Sequence, residues 1–220
     1  MKRKILLINY KAYKESFDNG LKIAGECAKL SKSLGIRAIV APPYSILRET
    51  SRLCETIGQH IDDVEPGAFT GHVTWYDIKN SGATGTLINH SERKLSTEKI
   101  KNVVGLCIDN DLFSFVCASS LREARQLLTL KPYAIAYEPP ELIGGNVSVT
   151  SAKPEVIAEF VELVNSSSKS LALIGAGIKT AEDVRKSIEF GCDGVLVASG
   201  ILKSKEPVKA INELAYPLRD

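Results

Sequence analysis

Residues 171–200 read LALIGAGIKTAEDVRKSIEFGCDGVLVASG, and this stretch decides the fold. It opens on an apolar run, 171–175, short enough for a strand buried on both faces. A small-residue turn, Gly175-Ala176-Gly177, follows. Thr180 and Asp183 then stand three apart, the spacing at which a helix N-cap and its third residue satisfy each other's backbone N–H groups. A second apolar run, 194–197, ends on another small turn, Ala198-Ser199-Gly200. Strand, helix, strand is a parallel crossover unit, because parallel neighbours need a long connection and a helix usually provides it.

Outward from this unit the same rhythm recurs about eight times. Strands are expected near 4–9, 36–41, 57–61, 84–89, 113–117, 133–137, 171–175 and 194–197. Ser120 and Glu123 repeat the capping spacing, while Val156, Ile157, Phe160, Val161 and Val164 recur at helical intervals. Strict alternation points to an α/β fold with one parallel sheet. Eight units favour closure into a (β/α)8 TIM barrel, eight parallel strands with outer helices, over an open doubly wound sheet; the preference rests on that count. Ser166-Ser167-Ser168 reads as a helix end and no Pro/Ser-rich linker divides the chain, so 1–220 is expected to be a single barrel domain.

Composition limits the function classes. With 220 residues and 44% hydrophobic content the chain can bury a sizeable core. A formal charge of +2 gives no global field for nucleic acid or a membrane surface, so any anion site must be built locally. The five cysteines are odd in number, widely spaced and without a C-x-x-C pair, which disfavours a disulfide framework and a structural zinc site. Met1-Lys2-Arg3-Lys4 is basic, but 5–8 is too short for a signal-peptide core, and no apolar run approaches the roughly 18 residues of a membrane span. A soluble cytoplasmic protein is expected, with no membrane or nucleic-acid partner and no metal.

In a parallel barrel the active site lies at the carboxyl ends of the strands, so the residues just past each apolar run are the candidates. These are Asn9 and Lys11 after the first run, Asn89 and His90 after the fourth, Glu138 after the sixth, and the small turns 175–177 and 198–200 after the last two. Small turns let backbone N–H groups approach a phosphate closely, and a helix N-terminus adds a favourable field. Gly-rich turns also end many strands for steric reasons, so either loop alone is weak; the pair is stronger. A carboxylate and an imidazole facing one phosphorylated substrate suit proton transfer beside a carbonyl, with no cofactor required. The bland alternatives are an ordinary satisfied histidine and a solvated loop glutamate. Their shared position at strand ends weighs against both.

At these residues the chain resembles the triosephosphate isomerase family, in its short archaeal form. The segments are Asn9-Tyr10-Lys11, Gly67-Ala68-Phe69-Thr70-Gly71, Ile88-Asn89-His90-Ser91-Glu92-Arg93, Tyr137-Glu138-Pro139-Pro140-Glu141-Leu142-Ile143-Gly144-Gly145, Gly175-Ala176-Gly177-Ile178 and Val197-Ala198-Ser199-Gly200, in the family's order. The resemblance implies Glu138 as the base that shuttles a proton between two carbons, His90 as the neutral electrophile and Lys11 as a positive charge beside phosphate and enediolate. It implies substrate contacts from Asn9, Ile143, Gly177, Ala198 and Ser199. The neutral histidine at a helix N-terminus is inherited too, since this family is itself a standard illustration of such pKa tuning. Residues 141–150 resemble the family's lid, and Ile143 with Leu196 would desolvate Glu138, although plain core packing also accounts for Leu196 if it points into the barrel.

The resemblance has departures. Pro140-Glu141-Leu142 stands where longer members carry a hinge tryptophan, Asn146 replaces an expected lid glycine, and loop 175–178 lacks a serine. Cys117 matches a family cysteine and is read as a buried, inert thiol. The Thr70 loop implies a homo-oligomer, a tetramer in the short archaeal form with a dimer possible. Two rivals remain. Another phosphate-binding barrel isomerase would not need the His90 and Glu138 segments, and a silent binding paralogue or scaffold would be expected to have lost them.

Overall fold

The computed structural model describes residues 3–139, 154–167 and 169–219. Among them seven strands form one parallel sheet: β1 (Ile5–Asn9), β2 (Arg37–Ala41), β3 (Gly85–Ile88), β4 (Phe113–Ala118), β5 (Ala134–Tyr137), β6 (Leu171–Ile174) and β7 (Gly194–Val197). Their order is β2-β1-β7-β6-β5-β4-β3. The chain from 55 to 58 closes the ring between the two outer strands. Ile57 N–H donates to Val40 O (2.8 Å), Gly58 N–H to Gly85 O (2.8 Å) and Leu87 N–H to Gly58 O (2.9 Å).

The strand expected at 57–61 is therefore corrected: pairing there is confined to two isolated parallel bridges, Val40 with Thr56 and Gly58 with Thr86. On the β2 side Val40 carries both ladder bonds, its N–H to Glu55 O and its C=O from Ile57 N–H, and the next donor in the series would be Pro42, which has no N–H, so the pairing stops there. Eight staves are present, the third of them abbreviated.

Alternating side chains serve two cores, as period-two geometry requires. Ile5, Leu7, Ile39, Ala41, Ile57, Leu87, Phe115, Cys117, Ala134, Ala136, Leu171, Leu173 and Leu196 fill the barrel interior. Leu6, Ile8, Val40, Val116, Ile135, Ala172 and Val195 face outward against the helices. Those helices are α1 (Lys14–Leu34), α2 (Leu47–Ser51), α3 (Trp75–Asn80), α4 (Thr97–Asp109), α5 (Leu121–Leu128), α6 (Pro154–Ser167), α7 (Ala181–Glu189), α8 (Ser199–Leu202) and α9 (Pro207–Ala215). On α1 the buried residues Ser16, Gly20, Ile23, Ala24, Cys27 and Leu30 recur every three or four positions and give one apolar stripe. On α6, Ile157, Phe160, Val161, Leu163 and Val164 do the same.

The capping spacings behave differently. At α7 the full box forms, Thr180 accepting from Asp183 N–H while the Asp183 carboxylate accepts from Thr180 N–H. At α5, Ser120 accepts from Glu123 N–H, but the Glu123 carboxylate turns to Ser119, Asn89 and Lys94. Among the described residues no helix is long and apolar enough to cross a membrane, and the five cysteines are free thiols.

Candidate active site

Each side chain singled out by position is held by its own strand end. Past β1, Asn9 Oδ1 accepts from the Lys11 N–H at 2.9 Å, and this turn places Lys11 at φ +50. A non-glycine residue in that region costs on the order of 1–3 kcal/mol and persists only where its surroundings over-determine it. Lys11 Nζ reaches Glu92 Oε1 at 2.7 Å.

Past β3, Asn89 also has a left-handed backbone, φ +61, which asparagine tolerates better than most residues. Its amide nitrogen donates to Cys117 O and Glu123 Oε1, both at 2.9 Å, and its amide oxygen accepts from Leu95 N–H at 3.0 Å. Burial alone would raise the Glu123 pKa, but the bonds from Lys94, Ser119 and Asn89 outweigh it and hold the group at about 2. This ionised anchor fixes the strand end from which His90 projects.

His90 Nδ1 accepts from the Glu92 N–H at 3.2 Å, so the neutral ring carries its proton on Nε2. Nε2 lies 3.5 Å from Glu138 Oε1. Burial, followed by the charge of Lys11, pushes the imidazole down to about 4. The ring stays neutral for that reason. Residues 91–93 make a turn closed by Arg93 N–H to His90 O, and it is the Glu92 N–H of this turn that His90 Nδ1 accepts; the next helix starts at Thr97.

Past β5, Glu138 is 3% exposed, with its N–H donated to Ala118 O. Its Oε2 is buried without a hydrogen-bond partner among the described residues, as is Ser91 Oγ. Burial raises the carboxyl to about 7, against the lowering influence of the Cys117 thiol and Lys11. Burial, reinforced by Glu138, pushes the Cys117 thiol up as well, which keeps it protonated.

A cavity at the carboxyl ends of the strands gathers Lys11, His90, Glu138, Gly177, Ala198 and Ser199 along one wall system, with Gly175, Ile178, Lys179 and Leu196 beside them. Asn9 lines the adjoining hollow, which shares Lys11 and His90. Gly177 has φ +71 and opens its loop toward the cavity. The first N–H groups of α8 have no carbonyl within the helix to bind, which suits them to an anion. Leu196 is both things the sequence left open: it belongs to the barrel interior and also borders the cavity. Ile143, Asn146 and the 141–150 segment lie outside the described residues.

Sequence reasoning passed over Gln59, whose amide nitrogen donates to Lys11 O and Ala41 O, both at 2.9 Å. The strand-end rule would have selected it. With the third strand drawn as 57–61, it fell inside the element instead of just past it.

A buried carboxylate, a neutral imidazole and a lysine at the strand ends of a parallel barrel, facing two loops rich in exposed backbone, make this an α/β-barrel enzyme. The chain belongs to the triosephosphate isomerase family, whose model, described as "Triosephosphate isomerase", matches residues 4–214. Relatives bearing that name include one from Methanothermus fervidus, 41% identical over 218 residues, covering 97% of this chain and 98% of the relative. One from Methanopyrus kandleri is 41% identical over 215 residues, covering 95% of each chain. One from Thermoplasma volcanium is 42% identical over 211 residues, covering 95% and 98%.

Proposed function

We propose that the chain interconverts D-glyceraldehyde 3-phosphate and dihydroxyacetone phosphate through an enediolate, with Glu138 as base and His90 as electrophile. The observation that carries this reading is the 3.5 Å approach of His90 Nε2 to Glu138 Oε1 at the edge of the cavity bounded by the two small loops. The Glu138 carboxylate takes a proton from the carbon beside the carbonyl, and the electron pair moves onto oxygen. The Nε2–H of His90 donates to that oxygen, and a neutral imidazole can do so without first losing a charge. Glu138 then returns the proton to the neighbouring carbon, while the hydroxyl proton on that carbon is passed by the imidazole to the former carbonyl oxygen, so that the old carbonyl becomes a hydroxyl and the old hydroxyl the new carbonyl. Every atom of the substrate stays in the product, so the reaction needs no external oxidant or reductant.

Lys11 supplies positive charge beside the phosphate and the enediolate, and Asn9 fixes the turn that carries it. Backbone N–H groups of Gly177, Ala198 and Ser199 hold the phosphate, and Ile143 contributes from the lid. The pathway is glycolysis and gluconeogenesis in the cytoplasm, carried out by a single domain spanning 1–220. The working form is a homotetramer, or a dimer within it. Its support is the 67–71 loop, where Phe69 is exposed and available to a second copy.

The pH profile tests the base. A base must be ionised to accept a proton, and burial has raised Glu138 to about 7, so kcat/KM should fall as pH drops through 7. His90, lowered to about 4, stays neutral across that limb and adds no second limb near neutrality. A kcat/KM that stays flat from pH 8 to pH 5 would remove Glu138 from the role.

Gly175 offers a steric test of the same carboxylate. A Cβ built there would lie 2.5 Å from Glu138 Cγ, nearer than real side chains approach, so the carboxylate has to move. Gly175→Ala should lower kcat/KM by about 10²-fold, the usual cost of displacing a reacting group by an ångström. Retention of full activity would mean that the placement of Glu138 is not critical. Stability should drop by about 1–3 kcal/mol from overpacking, read as a lower Tm.

A further inference from the structure

We infer that Gln59 is a positioning residue for Lys11, a role that rests on the isomerase reading above. Lys11 has a left-handed backbone with no glycine to relieve it, so something must hold the turn on both sides. Asn9 Oδ1 takes its N–H, and Gln59 Nε2 donates to its C=O, each at 2.9 Å. The second proton of the same amide goes to Ala41 O at 2.9 Å, a carbonyl that also accepts the Tyr10 N–H at 3.0 Å. One amide thereby ties together the ends of β1, β2 and the abbreviated third stave.

Both donors of the amide are used on backbone carbonyls, and a glutamate in its place would offer them only acceptors. The consequence falls on the Lys11 ammonium. With its backbone clamped, Nζ is directed to Glu92 and to the cavity it shares with His90 and Glu138. Without Gln59 the turn can relax toward ordinary angles, and the charge would leave the place where phosphate and enediolate need it.

The test is a double-mutant cycle on the full chain, with kcat and KM for D-glyceraldehyde 3-phosphate and Tm measured for wild type, Q59M, K11M and Q59M/K11M. If Gln59 acts through Lys11, Q59M lowers kcat/KM by roughly 10- to 100-fold in the wild-type background, partly through a raised KM, and by less than about twofold once Lys11 is gone. Q59E, which keeps the shape but not the donors, carries the same cycle should Q59M fail to fold. Equal losses in both backgrounds, or a Q59M enzyme as active as wild type, would overturn the positioning role. An inactive wild type would overturn the isomerase reading beneath it and this role with it, so the two failures are separable.

Discussion

Glu138→Gln is expected to lower kcat by about 10² to 10⁴-fold, the usual contribution of a positioned general base. The substitution keeps size and burial but removes the group that can accept a proton. Phosphate contacts come from other loops, so KM should move far less than kcat, the signature of an interaction made only in the transition state. Stability should hold or rise. A buried carboxylate whose Oε2 has no partner among the described residues is costly to the fold, and a neutral amide is cheaper to bury than the ionised form. Steady-state kinetics and thermal melts of the one variant separate these effects, and a mutant as fast as wild type would exclude Glu138 as the base.

His90→Phe is expected to cost roughly 10²–10³-fold in kcat, the range seen when one donor to a developing oxyanion is removed. It takes away both the Nε2–H at the cavity and the Nδ1 acceptor that receives the Glu92 N–H. The pH profile of the residual activity is informative in its own right. Because the acid limb belongs to Glu138, it should persist at or above pH 7, with an apolar ring now beside the carboxylate. Loss of the limb together with the activity would assign it to His90 instead.

The sequence made the barrel legible because apolar runs, turns and caps are local chemistry that repeats eight times. Thr180 and Asp183 show this well: the box they form needs only residues within one helical turn. Ser120 and Glu123 have the same spacing, yet the Glu123 carboxylate is drawn off by Asn89, Lys94 and Ser119. No local pattern announces that bond set. The third stave was drawn too long for a related reason, since its length is set by the neighbouring strand, where Pro42 has no N–H to continue the ladder.

Site positions were legible from the strand-end rule, which put Asn9, Lys11, His90 and Glu138 on the list before any geometry was known. Their electrostatics were not. That His90 is neutral through burial and Lys11, that its proton sits on Nε2, and that Glu138 is raised to about 7 are properties of packing between distant segments. The left-handed backbone at Lys11 and its clamp likewise depend on residues 48 positions apart.

The central claim is that this chain alone isomerises a triose phosphate. It is tested most directly by the rate at which purified wild-type protein, treated with a chelator and given no cofactor, converts D-glyceraldehyde 3-phosphate to dihydroxyacetone phosphate. The account predicts rapid turnover that the chelator leaves unchanged and that approaches the same equilibrium from either side. Saturable binding of the substrate with no conversion in either direction would contradict it and leave the chain a silent member of its family.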